Sequence, residues 1–278
     1  MITKAIIPVA GWGTRRLPIT KIIEKSMLPV GNRPLVDYSV QELIRAGVKD
    51  IYMIISNVEP CQVKAFYSKN VALDQYLIDR GKEDRLALAH TLPDDVKIHY
   101  IQQDPAGKYG TAIPIAMAVE EYNINEPVLV FMGDDFIWNP GGESASDSLI
   151  KTMQNDDESV ILGVEVSHDQ VEKYGVLSAE DGKLTGVVEK PSVEEAPSNL
   201  INVSKYIMSP ALLQEIVRYT KENDFGPKDQ EYVVTDPIDS YIKKGGVMRV
   251  APVAGEYLDG GSVEGWLHAN NVVCGHKS

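Results

Sequence analysis

Short apolar runs separated by longer amphipathic stretches set the pattern of this chain. Residues 5–9, 51–55, 98–101 and 128–132 are rich in Ile and Val and bounded by turn residues, which predicts buried strands. Between the first two, residues 34–46 place Val36, Val40, Leu43 and Ile44 on one face of a helix, and Gly47 is positioned to end it. Asn32 is the expected cap, two residues ahead of Pro34. Residues 60–95 read as largely helical and residues 110–122 as a further helix. Strand alternating with helix predicts an α/β fold, with a Rossmann-like mixed, mainly parallel central sheet and helices on both faces. Such a sheet binds ligands beyond the carboxyl ends of its strands, so the residues after each apolar run are the candidates for chemistry.

The second half has a different pattern. Residues 159–166 and 174–178 read as strands, and a turn at 180–183 leads into 184–189, which predicts an antiparallel hairpin added to the core. Residues 211–219, 232–243 and 263–272 read as helices, and residues 247–253 form another apolar run. No repeat or flexible linker separates the halves. The expectation is one domain over residues 1–278, with halves of about 1–140 and 141–278.

Composition narrows the function. Lys plus Arg number 27 against 40 Asp plus Glu, a net charge of −13, which argues against a nucleic-acid partner bound through a basic face. It leaves room for an anionic small molecule held by a few local cations and a metal. The two cysteines, Cys61 and Cys274, are too few for a disulfide framework and read as reduced thiols. No leader segment is evident, and no apolar run approaches the ~20 residues of a membrane helix. A soluble, cytoplasmic protein with no membrane partner is expected.

Two places carry candidate chemistry. Directly after the first apolar run comes Ala10-Gly11-Trp12-Gly13-Thr14-Arg15-Arg16, with Lys21 and Lys25 close behind. Two glycines alone make a tight turn. With four cations beside them, successive backbone N–H groups and positive charge favour a polyphosphate site. A dinucleotide fingerprint is excluded by Arg16 at its third glycine, and a P-loop by the missing Gly-Lys-Ser/Thr. The run at 128–132 ends in Gly133-Asp134-Asp135, and Asp259 in Tyr257-Leu258-Asp259-Gly260-Gly261 lies beyond the run at 247–253. Carboxylates from distant parts of the chain can share one hard cation such as Mg²⁺. Trp12 and Met27 are expected to serve packing. No His sits in a nucleophile–base arrangement, and a phosphate nucleophile needs none, being mostly a dianion at neutral pH.

The segment Ala10-Gly11-x-Gly13-Thr14-Arg15-x-x-Pro18-x-Thr20-Lys21-x-x-x-Lys25-x-Met27-Leu28-Pro29 resembles the opening motif of the sugar-1-phosphate nucleotidyltransferases, their uridylyltransferase branch most. The likeness extends through Gln103, Gly110-Thr111-Ala112, Gly133-Asp134, Tyr174-Gly175-Val176, Val188-Glu189-Lys190-Pro191 and Thr235-Asp236 to about residue 270. The resemblance implies uridylyl transfer from UTP to glucose 1-phosphate, with Mg²⁺ as cofactor. A thymidylyltransferase or a non-catalytic nucleotide-sugar-binding regulator is the alternative. By the same resemblance Arg15 and Lys25 grip the triphosphate and stabilise the transition state. Ala10, Gly11, Gly13, Thr14, Gln103 and Gly110 hold the nucleotide. Gly175, Glu189 and Lys190 hold the sugar phosphate, and Asp134 and Asp259 the metal. The first half of the chain is then the nucleotide half, the second the sugar-phosphate half. Assembly into a homo-oligomer, a dimer or tetramer, is implied as well. The chain departs from the family pattern at Glu24 (usually Pro), Ser26 (usually Glu), Thr111 (often His) and Ser204 (usually Gly).

Overall fold

A computed structural model describes residues 2–226 and 230–275. Strand β1 (Lys4–Pro8) runs between β4 (Asp50–Ser56) and β6 (Val128–Phe131), and β5 (Lys97–Gln103) pairs on the far side of β4, all parallel. Alternate residues point to opposite faces, so Ile6 joins one core and Ala5 and Ile7 the other. Between β1 and β4 lie a two-residue hairpin, β2 (Pro29–Val30) with β3 (Arg33–Pro34), and helix α1 (Leu35–Arg45). Helix α1 buries Val36, Val40 and Leu43 in the second core, about 1.5–3 kcal/mol for each side chain. Its end is a Schellman turn: Val48 N–H donates to Leu43 O and Gly47 N–H to Ile44 O, both at 3.0 Å, with Gly47 at φ 95°. Asn32 does not cap it. Asn32 is taken up by the β2–β3 turn, and Pro34 is the residue before the first helical turn.

The long helical stretch expected over residues 60–95 is broken into short pieces. They are α2 (Gln62–Tyr67), α3 (Val71–Asp79) and α4 (Leu86–Ala89). Local caps break it up: Cys61 Sγ accepts from Lys64 N–H, Asn70 Oδ1 accepts from Leu73 N–H, and Gly81 takes φ 62° after α3. Only Leu77 of α3 is buried, so no core face holds one long helix together. The predicted helix at 110–122 is present as α5 (Ala112–Tyr122).

Beyond β6 the sheet changes character. Strand β7 (Asp135–Trp138) and helix α6 (Ala145–Thr152) precede β8 (Ser159–Glu165), and β9 (Gly175–Glu180) and β10 (Lys183–Glu189) form the expected hairpin. Its turn residues Asp181 and Gly182 sit at φ 50° and 73°, as a two-residue turn matching strand twist requires. Strand β11 (Leu200–Met208) is followed by α7 (Pro210–Glu222), α8 (Thr235–Lys243), β12 (Met248–Pro252), β13 (Glu256–Asp259) and α9 (Val263–Gly275). The nine-stranded order is β5-β4-β1-β6-β11-β8-β12-β10-β9. β11 is antiparallel to both β6 and β8, β12 is parallel to β8, and β10 is antiparallel to β12. The fold is therefore mixed α/β; of the mainly parallel sheet expected, β5 to β6 and the β8–β12 pair are parallel, while β11 and the β9–β10 hairpin pair antiparallel. No pattern in the sequence pointed to β11, although it lies in mid-sheet. Asn202, Ser204 and Lys205 interrupt its apolar run, and a register shift between Asn202 and Tyr206 bends it there. β7 and β13 pair apart from the main sheet, and α9 packs on them through Ala269 and Val273 against Phe136 and Leu258.

Candidate active site

A cleft of about 360 Å³ opens where β1, β5 and β6 end. Ala10, Gly11 and Trp12 line it from the loop after β1, and Lys25 and Ser26 from the next bend. Gln103, Tyr109 and Gly110 line it after β5, Gly133 and Asp134 after β6, and Glu231 from the segment before α8. Six of the residues given binding or catalytic roles in the sequence thus share one cavity: Ala10, Gly11, Lys25, Gln103, Gly110 and Asp134. Trp12 is 57% exposed at this opening, so packing does not account for it, whereas Met27 does pack on the second core.

The loop after β1 is held by its neighbours. Gly13 takes the left-handed φ of 64°, and a Cβ there would stand 2.9 Å from Lys25 Cβ, so only glycine lets the two bends touch. Thr20 Oγ1 donates to Gly13 O at 2.8 Å. The following 3₁₀ turn, Thr14–Arg16, leaves Thr14 and Arg15 exposed outside the cleft lining and turns Arg16 inward, to 1% exposure. Arg16 is therefore not part of a cationic surface. Glu24 and Gln62 clamp the Lys25 bend to the start of α2: Glu24 N–H donates to Gln62 Oε1 at 2.9 Å, and Gln62 N–H donates to Glu24 Oε1 at 2.5 Å. On the other wall, Gly110 at φ 123° lies against the Tyr232 backbone, where a Cβ would be 2.5 Å from its nitrogen. Thr111 Oγ1 accepts from Val234 N–H at 2.9 Å, and Gln103 Nε2 donates to Lys108 O at 3.2 Å.

Two adjacent aspartates have opposite surroundings. Asp135 is buried, with Oδ1 bonded to Lys205 Nζ at 2.5 Å and Oδ2 accepting from Tyr257 OH at 3.1 Å. Burial pushes its carboxyl up to about 7 against the pull of Lys205, with Asp134 and Asp259 pushing the same way as burial. Asp134 faces the cleft and pairs with Lys25 Nζ. Desolvation would raise its pKa, but the charge and hydrogen bond of Lys25, helped by Lys205 and Arg16, hold it below the usual carboxylate range. Asp259 stands opposite Asp135 in the β7–β13 register, and Gly260 N–H donates to Asp134 O at 2.9 Å, which brings the Asp134 and Asp259 backbones together. Among the described residues no cluster of three or more His, Cys, Asp or Glu forms a metal cage. Asp134 lines the cleft, whereas Asp259 lies outside its lining with Oδ1 accepting from Gly261 N–H at 2.6 Å; two hard carboxylates on adjoining segments suit a divalent cation whose remaining ligands are water and phosphate oxygens. The sequence missed Lys205 and Tyr257, which hold Asp135 away from the cleft; a lysine inside an apolar run was the available signal.

The remaining predicted residues lie together on the β9–β10 hairpin, outside the cleft lining. Gly175 pairs with Glu189 across the strands, and a Cβ on Gly175 would stand 3.1 Å from Glu189 Oε1. Lys190 follows at φ 46°, its N–H donating to Tyr174 O at 3.0 Å. Tyr174 in turn meets the Tyr257 ring edge-on at 5.9 Å, which ties the hairpin to the aspartates.

A cleft at the carboxyl ends of parallel strands, floored by a glycine-rich turn and bordered by lysine and aspartate, defines a class of phosphate-handling α/β proteins. The sequence profile of the family described as Nucleotidyl transferase matches residues 4–274, and the chain belongs to that family. The UTP–glucose-1-phosphate uridylyltransferase of Mycoplasma pneumoniae is 32% identical over 276 residues, 97% of this chain and 91% of the relative. Among solved structures, an apo UDP-glucose pyrophosphorylase superposes with a TM-score of 0.87 at 28% identity, covering all of both chains. A UTP-bound enzyme from Acinetobacter baumannii gives 0.85 at 26% identity, covering 98% of this chain and 93% of that one. Among the described residues no helix is long and apolar enough to cross a membrane.

Proposed function

We propose that this chain transfers a uridylyl group from UTP to glucose 1-phosphate, giving UDP-glucose and pyrophosphate. The observation that carries the reading is the convergence of Gly11, Lys25, Gln103, Gly110 and Asp134 on one cleft in a chain of the nucleotidyl transferase family. Relatives with that named activity, and a structural neighbour holding UTP, support the choice of substrate. An oxygen of the sugar phosphate attacks the α-phosphorus of UTP in line. The new P–O bond forms as the bond to the β-phosphate oxygen breaks, and pyrophosphate leaves with that electron pair. No proton acceptor is needed, since the attacking group is already an anion.

The first half of the chain holds the nucleotide and the second the sugar phosphate. The backbone from Ala10 to Thr14 cradles the triphosphate, and nothing lies within 4 Å of a Cβ placed on Gly11, so that surface is open to a ligand. Arg15 and Lys25 meet the charge that grows on the α-phosphate and pyrophosphate. Gln103 reads the uracil edge beside Gly110. Glu189 and Gly175 take sugar hydroxyls and Lys190 the sugar phosphate. Asp134 and Asp259 would hold Mg²⁺, which when bound neutralises triphosphate charge. Lys25 rests on Asp134 and is released to the incoming phosphates.

Release of pyrophosphate, measured across a panel of nucleoside triphosphates and sugar 1-phosphates, tests the reading. UTP with glucose 1-phosphate is expected to give the highest kcat/KM. A preference for dTTP would make the chain a thymidylyltransferase, and binding without turnover a regulator.

A further inference from the structure

One cation of the glycine-rich loop has no part in the chemistry above. Arg16 is 1% exposed, and its Nε, Nη1 and Nη2 find no hydrogen-bond partner among the described residues. A buried guanidinium with every nitrogen unmatched requires an explanation, because its donors have lost water without gaining acceptors. The charges facing it are the carboxylates of Asp134 and Asp259, which oppose the effect of burial on its pKa. It lies against Gly260, where a Cβ would meet Nη2 at 3.2 Å. Gly260 follows Asp259 and bonds to Asp134 O, so the guanidinium is wedged where the two aspartate segments cross.

Without a metal, two carboxylates face two cations, Lys25 and Arg16. Lys25, partly exposed at the cleft, pairs with Asp134 and can exchange that partner for phosphate. Arg16, walled in, cannot. We propose that Arg16 is a built-in counter-cation of the Asp134–Asp259 pair, holding the carboxylates together without metal and weakening the divalent ion's binding until a triphosphate adds its own oxygens. The proposal rests on the reading that this pair binds the metal. It also gives Arg16 a reason to stay charged in a place where an apolar side chain would pack.

Binding of Mn²⁺ to the nucleotide-free protein, followed by the electron paramagnetic resonance of the free ion, tests this without any turnover. Arg16→Met is expected to bind Mn²⁺ about tenfold more tightly or better, as removal of a nearby positive charge requires. Arg16→Lys, which keeps the charge, should stay close to wild type. Metal-free Arg16→Met should melt below wild type and recover more than wild type does on adding Mn²⁺. If Arg16→Met does not fold, Arg16→Gln carries the same expectation. Unchanged or weaker affinity in the neutral variant, or equal shifts in the neutral variant and Arg16→Lys, overturns the proposal. Asp134→Asn and Asp259→Asn separate the two ideas. If neither affects Mn²⁺ binding, the metal assignment itself fails. If both weaken it while neutral Arg16 variants do not strengthen it, only the role of Arg16 fails.

Discussion

At the scale of single residues, the division between Asp134 and Asp135 decides most about the chemistry. The sequence offers two identical side chains in a row. Only the fold separates them, because Lys205 and Tyr257 occupy both oxygens of Asp135 while Asp134 meets Lys25 at the cleft. Asp134→Asn and Asp259→Asn are expected to cut turnover at least 100-fold, about 3 kcal/mol of transition-state stabilisation, with a smaller loss of stability than Asp135→Asn, since Lys25 is partly exposed and each change leaves Arg16 one carboxylate. Asp135→Asn should cost roughly 3 kcal/mol of stability by leaving Lys205 buried without its counter-charge. Thermal melts and initial rates on the three proteins separate these outcomes. Ser204 shows a departure from the family whose effect is on backbone. It sits at φ 54°, where a serine is strained and the glycine that the resemblance leads one to expect is not, inside the bulge that Asn202 Oδ1 holds by accepting from Ser204 N–H at 2.9 Å. Ser204→Gly is expected to stabilise the protein by roughly 0.5–1 kcal/mol in a denaturant titration, the relief of strain exceeding the entropy that glycine adds to the unfolded chain.

At the scale of elements, the first half could be read at β1, β4, β5 and β6, which carry apolar runs, and at α1 and α5, which bury apolar side chains, but not over residues 60–95, where α3 buries only Leu77. The runs at β1, β4, β5 and β6 match the strands to within two residues. What escaped were elements whose logic is tertiary. β11 carries Lys205 in its middle because Asp135, at the start of β7 outside the main sheet, meets its ammonium, and β7 and β13 are short because they pair only with each other. The candidate site was legible where backbone motifs mark it, in the glycine turn and in Gly133-Asp134. Arg16 was not, since nothing local distinguishes an inward arginine from Arg15 beside it. Glu24 belongs to this scale too. Its φ of −55° suits the proline that the resemblance leads one to expect, yet its carboxylate and N–H both serve the clamp to Gln62. Glu24→Pro should keep the bend and lose the clamp. Stability is expected to fall by about 1 kcal/mol, as for a lost helix cap, while turnover of the folded protein stays within about threefold of wild type. A collapse of activity with folding intact would mean that the clamp, and not the backbone shape, positions Lys25.

At the scale of the whole molecule, the sheet has a parallel side that ends at the cleft and a second side that carries the β9–β10 hairpin, outside the cleft lining, with Asp259 on β13 joined to the Asp134 segment through Gly260. Helices α7 and α8 cover the first core, and Glu215 holds them together by accepting from Arg218, Ser240 and Lys244. Desolvation works against this carboxylate, but those hydrogen bonds outweigh it and bring its pKa down to about 2. A folded pKa below the unfolded value means stability that is complete above about pH 5 and lost as pH falls toward 2. Because Arg218 and Lys244 are half exposed, about 1–2 kcal/mol is the expected size. Glu215→Gln should be less stable at pH 7 and should flatten the acid limb of the stability curve; an unaltered limb would show that the bonds contribute nothing net.

The central claim is direct attack of a sugar phosphate on the α-phosphorus of UTP, and isotope position tests it. Glucose 1-phosphate carrying ¹⁸O at its three non-bridging phosphate oxygens is incubated with UTP and the protein, and the products are examined by ³¹P nuclear magnetic resonance. All three labels are expected on the sugar-side phosphorus of UDP-glucose, one of them bridging to the uridylyl phosphorus, with none in pyrophosphate. Label in pyrophosphate, or release of UMP in place of UDP-glucose, would contradict the account.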